Sequence, residues 1–185
     1  MFLLAFIIAI IIGYALNGRL KNIDAAKVKL ISFVFISFFM EFIQLTLIKK
    51  GYLHIGILTY ISDVIMYALL LIFTYANRRN KWLLLLGIGA MLNAVVIFAN
   101  GGVMPVRLET VKSLGYSGDV ALQGLYKLTS ENTKLYFLAD IIPIRYPKAG
   151  IASIGDIIEI LGMAIFIITE MKNKKSSNNI VENER

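Results

Sequence analysis

Apolar residues come in long blocks along this chain, with polar residues gathered between them. Five blocks stand out, over about 2–17, 30–48, 55–76, 82–99 and 154–171. Each approaches the roughly 20 residues that a helix needs to cross a hydrocarbon core of about 30 Å. The pattern predicts an all-α, polytopic membrane bundle of five transmembrane helices. A loop over 100–153 joins the fourth span to the fifth, and a polar tail over 172–185 follows. The first block has no basic residue before its apolar run, and Asn17, Gly18 and Arg19 follow it where a leader would carry a small-residue cleavage site. It is therefore read as a retained span. The tail, with Ser176, Ser177, Asn178 and Asn179, lacks apolar periodicity and is expected to be disordered.

Within the long loop, Pro105 is placed as the first residue of a helix. Leu108, Val111 and Leu114 follow at spacings of three, and Gly115 stops the run. Leu125 with Leu128, and Leu135 with Leu138, suggest two further short helical pieces that would roof the bundle. Asn100, Gly101 and Gly102 read as a helix C-cap with left-handed backbone. Their bare N–H groups are also suited to an anion.

Composition agrees with the pattern. Of 185 residues 58% are hydrophobic and 17% charged, against roughly 25% charged in soluble domains, which excludes a soluble enzyme and a disordered regulator. There is no cysteine, so disulfides and thiol chemistry are excluded; with one histidine, His54 in a short loop, no metal site and no cofactor is expected. The net charge of +7 does not call for nucleic acid, because the basic residues sit in short loops between apolar blocks. An outside N-terminus puts eleven Lys and Arg on the inner side and eight outside, six of them spread over the long loop. The expected topology is N-terminus out, C-terminus cytoplasmic and the long loop outside.

The polar residues inside the spans are few: Glu41, Gln44, Asp63, Asn93, Asp156 and Glu159. A carboxylate near the bilayer centre costs several kcal/mol, so each is a candidate functional residue, with a structural interhelical hydrogen bond as the plainer alternative. At 1.5 Å per residue, Glu41 lies about 10 Å, Asp63 about 12 Å and Asn93 about 9 Å below the outer edge of the bundle. Asp156 opens the last span, and Glu159 lies one turn further in. All six fall in one half of the membrane, suggesting an outward-facing acidic pocket, with Asn100 at its edge, above a dry inner half. Ser37, Glu41 and Gln44 share one helix face, as do Thr59, Asp63 and Tyr67 on the next span. Glu41 and Asp63 are thus expected to meet, one protonated and bonded to the other. Ser153 and Asp156 stand as N-cap and N3 of the last helix, which explains Asp156 without chemistry.

Two aspartates sixteen residues apart offer another reading. Asp140 in Leu138-Ala139-Asp140, Asp156 in Ser153-Ile154-Gly155-Asp156, and the later Gly162 resemble the catalytic end of signal peptidase II, the lipoprotein aspartyl peptidase. That resemblance implies Asp140 and Asp156 as a catalytic dyad, one protonated and one ionised around a water. It covers about 30 residues, with Ser153 where that family has asparagine. A broader resemblance rests on Ala99-Asn100-Gly101-Gly102-Val103-Met104-Pro105-Val106, on Thr133 to Asp140, and on the Ser-Ile-Gly-Asp opening of the last span. On these the chain is similar to the uncharacterised bacterial membrane family catalogued as domain of unknown function 5317, which implies a cell-membrane protein of uncharacterised role. Glu41-x-x-Gln44 followed by Asp63 also resembles VanZ-like membrane proteins. Three uses stay open: a binding, sensing or accessory protein with a lipid-like or peptide ligand under the loop; an aspartyl hydrolase; and a cation or proton pathway through Glu41, Asp63 and Glu159. The bilayer itself is the expected partner.

Overall fold

The computed structural model describes residues 1–115, 126–146 and 149–173. The expected disorder of the tail, and the helical piece expected at Leu125, lie outside these residues beyond Asn173 and within 116–125. Six helices carry most of the fold: α1 (Phe2–Ala15), α2 (Ile31–Lys49), α3 (Ile57–Ala76), α4 (Lys81–Ala99), α5 (Leu108–Ser113) and α6 (Ile154–Lys172). Except for α5, their bounds follow the apolar blocks to within about two residues.

Three of them, α2, α3 and α4, are long and apolar enough to cross a membrane. Nineteen or twenty residues give about 30 Å of helix. Their outer faces are apolar and bare: Phe35 and Phe42 are both 66% exposed, and Ile57 is 71% exposed. Apolar surface of that extent has no place in water, and it marks a membrane-embedded protein. The other two blocks form a shorter helix and a more acidic one. α1 has fourteen residues, about 21 Å, and α6 carries Asp156, Glu159 and Glu170 within its nineteen.

Asparagines and glycines fasten the bundle. At one end, the Arg19 N–H and the Asn22 Nδ2 both donate to the Met171 carbonyl, holding the exit of α1 against the end of α6. At the same end, the Lys29 N–H donates to Asn77 Oδ1 while Asn77 Nδ2 donates back to the Lys29 carbonyl, joining the entry of α2 to the exit of α3. Asn80 caps α4 by accepting from the Trp82 and Leu83 N–H groups. Between these ties lies an apolar plug of Val28, Phe73 and Leu83, with Phe33, Val34 and Phe166 against it.

α4 and α6 pack along a glycine-lined contact. A Cβ on Gly89 would meet the backbone N of Glu159 at 2.6 Å, and one on Gly162 would meet the Trp82 carbonyl at 2.8 Å. Only hydrogens fit there, so the two backbones approach as small-residue interfaces in membranes do.

The loop between them is not wholly helical, as an all-α reading expects. Among the described residues, four short strands interrupt it. β1 (Met104–Val106) pairs in parallel with β2 (Tyr126–Leu128), and β3 (Ile142–Ile144) pairs antiparallel with β4 (Gly150–Ala152). Pro105 therefore stands inside a strand and not at a helix start; α5 begins three residues later, at Leu108. Leu128 likewise belongs to β2 rather than to a helical piece. A three-residue strand leaves too little sequence for alternation to show. The expected turn at Leu135 and Leu138 does form, as a 3₁₀ helix over Tyr136–Leu138. Gly101 and Gly102 adopt φ of 81° and 83°, closing α4 in left-handed backbone.

Candidate functional site

The short strands bring Asp140 to the bundle. Its N–H donates to the Pro105 carbonyl at 2.9 Å, and its carbonyl accepts from the Arg107 N–H at 3.0 Å. Asp140 thus lies beside β1, which itself follows directly on the end of α4. The result is a cavity of about 130 Å³ between the loop and the helix ends. α2 contributes Glu41 and Gln44, α3 contributes Asp63, Met66 and Tyr67, and α4 contributes Asn93 and Ile97. The loop adds Gly102, Met104, Tyr126 and Asp140, and α6 adds Asp156 from its first turn.

Six of the eight residues singled out in the sequence line this one space: Glu41, Gln44, Asp63, Asn93, Asp140 and Asp156. Two do not. Asn100 is a fastener: its Nδ2 donates to the carbonyls of Val96 and Lys134, and its Oδ1 accepts from the Lys134 N–H. Its capping of α4 uses every polar atom of the side chain. Glu159 stands behind the wall, joined to it by Asn93.

Asn93 is the centre of a closed network. Its Nδ2 donates to Asp156 Oδ1 at 2.9 Å and to Glu159 Oε1 at 3.0 Å, and its Oδ1 accepts from the Ser153 hydroxyl at 2.7 Å. Ser153 Oγ in turn accepts from the Asp156 N–H, and Asp156 Oδ2 accepts from the Ser153 N–H, the capping box expected from their spacing. Gly155 permits this: a Cβ there would strike Asn93 Oδ1. Both oxygens of Asp156 are therefore engaged.

The α2–α3 side is arranged differently. The expected Glu41–Asp63 bond does not form among the described residues. Instead Gln44 Nε2 donates to Asp63 Oδ1 at 2.8 Å, and Ser37 Oγ donates to the Met66 carbonyl. Gln44 lies one turn further along the same face, and that turn brings it level with Asp63. Glu41 lines the cavity but stays exposed on α2. Among the described residues, two buried side-chain oxygens find no donor: Gln44 Oε1 and Asp140 Oδ1. Their residues are 5% and 4% exposed, and both line the cavity. Burial first, and the charge of Asp156 second, push the Asp140 carboxyl well above the usual carboxylate range.

Tyr67 was visible in the sequence only as a face-mate of Asp63. Gly102 and Met104 were visible only within the C-cap and the family-like stretch over 99–106, and Tyr126 carried no signal, because loop residues have no period that reports where they fold. The Tyr67 ring meets Phe98 edge-on at 5.6 Å, and Phe98 meets Tyr60 at 5.5 Å in the same way, which braces the wall. No group of three or more His, Asp or Glu side chains among the described residues is gathered to hold a metal ion. His54 is exposed in the α2–α3 turn.

The family model described as "Family of unknown function (DUF5317)" matches residues 25–168 of this chain, from the loop before α2 to near the end of α6. An uncharacterized protein of Thermotoga maritima is 33% identical over 104 residues, covering 55% of this chain and 60% of that protein. The match thus spans about three fifths of the length of that curated relative. No solved structure matches the chain.

Proposed function

The chain belongs to this family of unknown function, and from that premise we propose that it is a multi-pass membrane protein that binds a small polar ligand in the cavity under its loop. In this reading α1 and α6 join α2, α3 and α4 as spans, and the cavity opens outward. The role is one of binding, sensing or assisting a partner. The observation that carries it is the pair of orphaned acceptors, Gln44 Oε1 and Asp140 Oδ1, on residues that line one cavity. Over 90% of buried polar groups in folded proteins find a partner, and two unpaired ones at a single cavity mark where a ligand's donors belong.

Two facts weigh against the aspartyl peptidase as first choice. A cavity of about 130 Å³ is well below the roughly 300–1,000 Å³ of drug-sized ligand sites, so it would enclose only a small part of a peptide. Asp156 also has both oxygens bonded. What favours that second reading is that Asp140 and Asp156 line the same cavity, with Asp140 pushed toward its protonated form partly by Asp156. A proton or cation pathway would have to continue past Glu159 to the level where Phe73, Leu83 and Phe166 pack together.

Thermal unfolding of the full chain in detergent, against a panel of cationic, anionic and neutral solutes and of lipids, tests the binding reading. A ligand present at 100 times its Kd stabilises by about 2.7 kcal/mol. A shift with one chemical class is the expected result, and no shift with any class overturns the reading. Since the chain has no cysteine, Tyr146→Cys gives a single thiol at an 86% exposed position of the long loop. It should react with an impermeant maleimide in intact cells; reaction only after permeabilisation overturns the outward placement.

A further inference from the structure

We infer that the ligand of this cavity carries a primary ammonium group, as a small amine or as an amine-bearing lipid headgroup. The inference rests on the binding reading above and adds the chemical class. Four carboxyl side chains line the space, Glu41, Asp63, Asp140 and Asp156, and among the described residues no Lys, Arg or His does. The ion pairs among the described residues, Lys27–Asp24 and Arg107–Glu109, involve none of the four. In a chain of net charge +7, four of the twelve Asp and Glu side chains gather here, with no cation among the described residues of the lining to offset them. A bound cation would supply the missing charge in a place where water screens it only in part.

The kind of cation follows from the orphaned acceptors. Gln44 Oε1 and Asp140 Oδ1 need hydrogen-bond donors. A primary ammonium offers three N–H groups, whereas a quaternary ammonium offers none. A bare divalent ion needs several oxygens converging on one point, and the carboxyl groups here are spread over α2, α3, α6 and the loop without such convergence. Tyr67 and Tyr126 add aromatic rings to the lining, and Met66 and Met104 add apolar surface for a short carbon stem. The volume suits a headgroup-sized molecule, and an acyl chain would lie outside it.

The test is binding by the full chain in an amine-free buffer, read as the shift in thermal unfolding and by titration calorimetry. Ethanolamine is the probe for the free amine, choline for the quaternary group, ethylene glycol for the neutral analogue and sodium for a simple cation. Nanodiscs containing phosphatidylethanolamine or phosphatidylglycerol probe the headgroup. The expected result is binding of ethanolamine, or stabilisation by phosphatidylethanolamine, with choline and ethylene glycol at least about tenfold weaker. Response to the lipid alone assigns the headgroup as source, and response to ethanolamine alone assigns a free amine. Equal response to choline, to ethylene glycol or to sodium overturns the ammonium assignment, as does silence toward both amines. Binding of an anionic or neutral solute in the earlier panel would sink this inference and leave the binding reading standing. Asp140→Asn should weaken ethanolamine binding about tenfold. Gln44→Met serves as a second variant, with the unliganded unfolding temperature as the check on folding. Full affinity in a folded variant of both residues overturns the inference.

Discussion

The two sides of the cavity handle polar side chains in opposite ways. On the α4–α6 side, Asn93, Ser153 and Asp156 spend every side-chain oxygen and nitrogen on each other or on Glu159. Their backbones are pressed together through Gly89, Gly155 and Gly162. On the α2–α3 and loop side, Gln44 and Asp140 each keep an acceptor with no donor, and Glu41 has no side-chain partner among the described residues. The same residue types thus do two jobs. A satisfied network in an apolar setting holds helices in register, and it leaves nothing for a ligand to bond. An unsatisfied one costs stability until something fills it. Candidate chemistry therefore belongs to the open side, with Asp156 touching both.

The contrast is easiest to break through the glycines. Gly162→Ala puts a methyl against the Leu86 backbone and 2.8 Å from the Trp82 carbonyl, neither of which can give way as a side chain would. Its cost should exceed the roughly 1–3 kcal/mol of ordinary overpacking. Loss of the monodisperse peak on size exclusion in detergent would show it. Gly150→Ala, where nothing lies within 4 Å, should run like the parent. If both variants behave alike, the α4–α6 contact is not as close as described.

Next in size is Asn93→Leu. It leaves Asp156 Oδ1, Glu159 Oε1 and the Ser153 hydroxyl without their partner. Hydrogen bonds to charged groups contribute roughly 1.5–3 kcal/mol each, so a loss of about 3 kcal/mol is expected from urea or thermal unfolding in detergent. A loss below about 1 kcal/mol would mean that the network is decorative.

How much of this was legible beforehand depends on whether a residue's neighbours share its period. Helix positions were, because an apolar block of about 20 residues has few other solutions in a bilayer. The capping of α6 by Ser153 and Asp156 was, because a cap is a contact between residues three apart. The gathering of Glu41, Gln44, Asp63, Asn93 and Asp156 followed from depth alone. Register did not: one turn along α2 decides whether Glu41 or Gln44 meets Asp63, and periodicity places both on the same face. The loop was the least readable part. Pro105 in a strand and Asn100 as a clamp on Lys134 both depend on segments some 20 to 35 residues away. Such pairings leave no local trace.

A smaller effect separates the two amides. Gln44→Leu removes one bond to Asp63 but also removes the orphaned Oε1. The two changes oppose each other, and the net loss should be about 1 kcal/mol, clearly less than for Asn93→Leu. Thermal unfolding of both variants, side by side and without added ligand, makes the comparison. Equal losses would erase the distinction between the closed and the open side of the cavity.

The finest test uses pH at Asp140. Burial, and then the charge of Asp156, raise its carboxyl well above the usual range, so the folded chain holds that proton more tightly than the unfolded one. An unfolded aspartate titrates near pH 3.9. Above that pH the unfolded state has released the proton and the folded state has not, so stability falls as pH rises until the folded carboxyl has titrated too. Asp140→Asn has no proton to lose. Without ligand, the two proteins should unfold at similar temperatures near pH 4, and the variant should gain on the parent as pH rises toward 8. A gap that stays constant across that range would show that Asp140 is not held in its protonated form, and would place a compensating cation already at the site.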